Sequence, residues 1–137
     1  MIDFNSEVKT VPYSDGKVFA VLSDLSNLER VRERIPQETV QNLSFDRDRC
    51  SFDVSPLGRI ELRVVERVPN QTVRFETANS PIPLLLLIQL KPESETVTEM
   101  RMTLRAELNP VLRTMVSKQM KELVDKLSGL VAAISYD

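Results

Sequence analysis

Histidine and tryptophan are both absent from this chain of 137 residues. Without histidine the commonest general base and the commonest metal ligand are missing, which excludes zinc sites and Cys-His nucleophilic sites. Glycine is scarce, at 3 residues, and no GxGxxG, GxxxxGKS/T or GxSxG pattern occurs. No loop is therefore built to cradle a phosphate or to raise a nucleophile on a tight elbow. The single cysteine, Cys50, cannot form an internal disulfide, and Met1–Glu7 lacks the basic and apolar regions of a signal peptide. A reducing cytoplasm is the expected compartment. The longest apolar run, Leu84–Ile88, falls far short of the ~20 residues that cross a bilayer, so no membrane span is expected. Lysine and arginine number 18 against 20 aspartates and glutamates, a net charge of -2 with neither sign collected in a block. Nucleic acid is accordingly not an expected partner.

What is present is length for one real core and a clear change of periodicity. A chain this long buries roughly two thirds of its unfolded surface, so residues 1–137 are expected to form a single domain. Phe4, Ser6, Val8 and Thr10 alternate with polar neighbours, which predicts a first strand ending at Pro12. Ser14 or Asp15 then caps a short helix carrying Val18, Phe19, Val21 and Leu22, and Ser26 or Asn27 starts a second with Leu28, Val31 and Ile35, stopped by Pro36. From Gln37 the period stays near two, and strands are predicted at about 39–46, 49–55, 58–68, 71–78, 83–91 and 96–108. Residues 110–134 read as one long amphipathic helix, with Asn109 as N-cap and Pro110 at the first helical position. At about 100° per residue Leu112, Val116, Leu123, Leu127, Leu130 and Ile134 share one sector, with Lys118, Lys121, Glu122, Asp125 and Ser128 opposite.

Alternation assigns an inner face to the sheet. Leu62 and Val64, Phe75 and Thr77, Leu86 and Ile88, and Met100, Met102 and Leu104 share it, and Phe52 and Val54 are assigned to the same lining. The intervening Glu61, Arg63, Arg74, Glu76, Arg101 and Arg105 form a solvated outer face of mixed charge. Apart from Met1 every methionine lies in the last strand or the last helix, where Met100, Met102, Met115 and Met120 suit either an adaptable pocket wall or ordinary core filling. Val116, Gln119 and Leu123 complete the helical wall, Gln119 as the one large polar side chain near the apolar stripe. The polar hairpin turns share one end of the sheet, and the proline-rich turns carrying Leu57 and Ile82 share the other. That second end is the expected cavity mouth, bordered by the N-terminal half of the long helix. Glu66 has inward parity, but it sits beside the Pro69 turn at the closed end, and a bulge at Val64-Val65 would rotate it outward. Parity sends nearly all other carboxylates outward, so no catalytic residue, cofactor or metal is assigned.

The order of strand, two short helices, six strands and a long final helix resembles the helix-grip layout of the START-related superfamily, also called SRPBCC or polyketide-cyclase-like. Ser14-Asp15-Gly16-Lys17-Val18-Phe19-Ala20-Val21-Leu22-Ser23-Asp24 is similar to that family's pattern of a polar cap, an aromatic or Val pair and Leu-x-Asp. Gly58–Leu62 and Glu66–Phe75 are similar to its middle hairpin. The resemblance spans the chain and implies an α+β fold, a curved antiparallel sheet of about seven strands wrapped around the C-terminal helix. It also implies a cavity of the kind that holds lipids, sterols, hormones or polyketides in relatives, some of which are cyclases and some of which bind protein partners. The chain departs from the plant pathogenesis-related branch in lacking its glycine-rich loop and in carrying few aromatics.

Three functions remain open at this stage. The leading expectation is non-enzymatic binding or carriage of a small hydrophobic or amphipathic ligand, lipid-like or polyketide-like, by a monomer or weak dimer. A cyclase-type enzyme, with Glu66 or Tyr13 as the nominated ionisable groups, is the first alternative. An interaction module that reuses the fold without a ligand is the second.

Overall fold

The computed structural model of the chain describes residues 2–34, 40–54, 58–77 and 83–133, except the side chains of Val31 and Val54. Strands β1 (Ile2–Asn5) and β2 (Lys9–Val11) lead into helix α1 (Asp15–Leu22) and a 3₁₀ helix (Leu25–Arg34). Six strands follow: β3 (Gln41–Phe45), β4 (Arg49–Val54), β5 (Gly58–Val68), β6 (Thr72–Thr77), β7 (Leu84–Ser94) and β8 (Val97–Ala106). Helix α2 (Pro110–Ala133) closes the described chain. The sheet runs β1-β8-β7-β6-β5-β4-β3, antiparallel throughout, with β2 also paired to β8.

Register makes the core from the alternation. Val64, Phe75, Leu86, Leu104 and Phe4 stand opposite one another in turn across β5, β6, β7, β8 and β1. Val73, Ile88 and Met102 form the next row. All of these are buried except the half-buried Val64, and their odd-numbered or even-numbered partners on the same strands carry the charge. The outer face is a lattice of exposed ion pairs such as Arg49 with Asp46 and Glu61, and Arg59 with Asp53. Such pairs add little stability each, because water screens them.

The first strand corrects its expected form. It is two strands, not one, because the pairing with β8 passes from Asn5 opposite Thr103 to Lys9 opposite Met100, an extra residue on this side. Ser6 causes the break: its N–H donates to the Met102 carbonyl at 2.8 Å, while its Oγ accepts from the Met102 N–H at 3.0 Å. A side-chain oxygen thus stands where a backbone carbonyl would continue the ladder, and parity resets so that Val8 is exposed and Val11 fully buried. A second irregularity falls between Val64 and Glu66 on β5, where Val65 is half exposed and Glu66 faces out.

Both helices start as their sequences dictate. Ser14 Oγ accepts from the Lys17 N–H, and Asn109 Oδ1 accepts from the Leu112 N–H at 2.8 Å, each satisfying a donor that has no partner inside the helix. Helix α2 packs on β1, β2 and β8, one side of the sheet. Its buried row is Val116, Met120, Val124 and Ser128, spaced by four, so Ser128 lies inside and not on the solvent face expected of it. Its hydroxyl is satisfied locally by donating to the Asp125 carbonyl at 2.9 Å. Leu112, Leu123, Leu127 and Leu130 are only partly buried, and Ile134 lies outside the described residues. Helix α1 packs across β6, β7 and β8, and the 3₁₀ helix runs from it to β3.

Candidate functional site

Where α2 stands over one side of the sheet and α1 over one end, the space between them is not filled. A cavity of about 150 Å³, partly open to solvent, lies there. Its floor is the sheet: Cys50 and Phe52 of β4, Leu62 of β5, Phe75 of β6, Leu86 and Ile88 of β7, and Met102 of β8. Its roof is the C-terminal half of α2, through Leu123, Leu127, Leu130 and Val131. Its side wall is Val21 and Leu22 of α1 with Leu25 and Leu28 of the 3₁₀ helix, completed by Val40 and Leu43 near the sheet edge. Leu123, Leu127 and Leu130 are only partly buried because they face open space where a packed neighbour would otherwise be. A smaller void of about 30 Å³ adjoins it, since Phe52, Leu62, Leu86, Leu123 and Leu127 line both.

The site residues expected from sequence divide into groups. Phe52, Leu62, Phe75, Leu86, Ile88, Met102 and Leu123 line the main cavity, and Leu104 and Met120 line the smaller void. Met100 and Val116 are fully buried packing residues away from both voids, and Val64 packs half-buried against the core. Thr77 lines neither void, and its Oγ1 accepts from the Leu84 N–H at 3.0 Å. Met115 and Gln119 are exposed on the far side of α2 and do not reach either void. Val54's side chain, Leu57 and Ile82 lie outside the described residues. The expectation that the N-terminal half of α2 borders the cavity is corrected: the lining residues of α2 begin at Leu123. The wall facing the sheet there comes from α1 and the 3₁₀ helix, so the main cavity lies against the C-terminal half of α2.

Sequence reasoning did not identify the side wall. Leu25, Leu28, Val40 and Leu43, like Cys50 on the floor, each sit where an apolar residue fits an ordinary core, and nothing in their spacing marks a gap. Among the described residues the wall's polar members are Asp24, between α1 and the 3₁₀ helix, and Asn27, in the first turn of the 3₁₀ helix. Asn27 Nδ2 donates to the carbonyls of Val21 and Asp24 at 3.1 Å each. Hydrogen bonds from the Ser26 hydroxyl and N–H, with Arg47 and Arg67 nearby, hold the Asp24 carboxyl below the usual aspartate range. Burial pushes the Cys50 thiol up to about 12, so it is no nucleophile at neutral pH. Among the described residues, no group of three or more His, Cys, Asp or Glu is placed to hold a metal ion, and no helix is long and apolar enough to cross a membrane.

No protein-family model and no curated protein sequence matches the chain. Solved structures do. Norcoclaurine synthase from Thalictrum flavum, in complex with dopamine and hydroxybenzaldehyde, superposes with a TM-score of 0.70 at 9% identity, covering 96% of this chain and 85% of the synthase chain. A START superfamily protein from Mycobacterium smegmatis gives 0.61 at 12% identity, covering 94% of this chain and 96% of its own. The Aha1 dimer from Colwellia psychrerythraea gives 0.63 at 20% identity, covering 98% of this chain and 96% of its own. Eight antiparallel strands among the described residues, two short helices after the second of them and one long helix across the sheet give this chain a START-like, helix-grip fold.

Proposed function

We propose that the protein binds or carries a small hydrophobic or amphipathic molecule in the cavity between the sheet and the C-terminal half of α2, without catalysing a reaction. The observation that carries this reading is the cavity itself. Protein interiors are packed as densely as organic crystals, and voids larger than a water molecule are few. A space of about 150 Å³ with a wall almost wholly of apolar side chains, left unfilled between the sheet and the helices, is best explained by an occupant. Desolvation of the occupant in a preformed apolar pocket is the driving force. Dopamine and hydroxybenzaldehyde, the molecules held by norcoclaurine synthase, each carry a single ring, which agrees with a pocket of modest size on this fold.

Enzymatic cyclisation is the less favoured reading because it needs an ionisable group facing the substrate. Glu66 faces solvent, the Cys50 thiol is neutral, and Asp24 is engaged with Ser26. The test is extraction of protein purified from its own host, with mass spectrometry of what it releases. A small apolar compound in near-equal molar ratio to the protein is expected. An empty extract from several growth conditions, with a chain that associates tightly with another protein in the same preparation, contradicts binding and favours the interaction module.

A further inference from the structure

Among the described residues, the wall of the cavity offers an anion nothing to pair with and a cation only Asp24. Asn27, one of the two polar residues of the described wall, has its amide donors spent on the Val21 and Asp24 carbonyls, and its Oδ1 accepts from Arg30 Nε at 3.0 Å. Asp24, the other, accepts from both the N–H and the hydroxyl of Ser26. Its negative charge is balanced from outside the cavity by Arg47 and Arg67, and Arg67 is itself fixed between the Ser23 carbonyl at 2.9 Å and Asp48 at 2.8 Å. A carboxylate brought to the wall meets an anion at the rim and no free cation among the described lining residues. An ammonium group meets a single carboxylate, whose Oδ1 is taken up by Ser26 and whose charge is already offset by Arg47 and Arg67. Burying either ion without a partner is far more costly than burying a neutral group.

Size narrows the class further. An apolar cavity of about 150 Å³ lined by Leu, Ile and Phe side chains holds a benzene-sized molecule in an unrelated protein. Most drug-sized and lipid-sized ligands require pockets of roughly 300 Å³ or more. From the spent polar groups and the volume together, we infer that the ligand portion held in this cavity is uncharged and about one ring in size. This rests on the proposal that the cavity binds a ligand at all.

Three compounds of matched shape test it on the full chain at pH 7: toluene, benzoate and benzylammonium, each titrated while the methyl resonances of Ile88, Met102 and Leu127 are followed by NMR. Toluene is expected to shift all three, with benzoate and benzylammonium at least about tenfold weaker. Either ion binding closer to toluene than that overturns the inference and leaves the binding role intact. If none of the three compounds moves these methyls, the binding role falls and the inference with it.

Discussion

Cys50, the second residue of β4, lines the cavity floor, and its surroundings set its chemistry. Burial lifts its pKa from 9.0 to about 12, with hydrogen bonding from Leu62 opposing and Asp46 and Glu61 adding to the lift. Below pH 9 the thiol is protonated in both the folded and the unfolded chain, and folding is indifferent to it. Above pH 9 the unfolded chain alone loses the proton, so stability falls with rising pH by up to about 1.4 kcal/mol per unit until the folded thiol ionises near 12. Urea melts at pH 8 and pH 10 are expected to show a steeper loss for the natural chain than for Cys50→Val, and equal losses contradict the burial of the thiol. Leu127 tests the space rather than the charge. It lines both voids, so Leu127→Phe is expected to add about 0.5 to 1 kcal/mol to stability by filling them, and to weaken toluene binding at least about tenfold. A chain already packed at that point would instead lose about 1 to 3 kcal/mol.

Among the elements, α2 is the one on which the account depends. Its start is fixed by Asn109, whose side chain bonds the Leu112 N–H and whose carbonyl accepts from the Arg113 N–H. Asn109→Ala is expected to cost about 1 kcal/mol in a urea melt, and a cost near zero would mean that packing alone sets the helix start. Much of this level was legible in the sequence. The capped starts of α1 and α2, the period-two strands and the inward parity of Leu62, Phe75, Leu86, Ile88 and Met102 all follow from spacing and residue type. Three features were not. The break of the first strand turns on the Ser6 hydroxyl taking over a ladder bond, which no alternation pattern records. The rotation of α2 was misread by its leucines: the hydrophobic sector is wide, and the row that packs tightly is Val116, Met120, Val124 and Ser128. The position of the cavity depends on where α1, the 3₁₀ helix and α2 stand over the sheet, and side-chain spacing within one element carries no information about separation between elements.

At the scale of the whole molecule, a single sheet is covered unevenly. Helix α2 packs on β1, β2 and β8, while α1 packs on β6 to β8 and the 3₁₀ helix reaches β3. Between them the faces of β4 to β8 contribute Cys50, Phe52, Leu62, Phe75, Leu86, Ile88 and Met102 to a void and not to a seam. The START-related fold recurs in proteins as different as a plant synthase and a dimeric bacterial protein, so the fold alone does not select a function. What separates a binder from a filled core on this scaffold is whether the space is real. Xenon occupies dry apolar voids of this size and scatters X-rays strongly, so a crystal of the protein held under xenon pressure reads the cavity directly. The account predicts a xenon atom bounded by Leu62, Phe75, Leu86, Met102 and Leu127. Those five side chains in mutual contact, with no xenon between them, would contradict it.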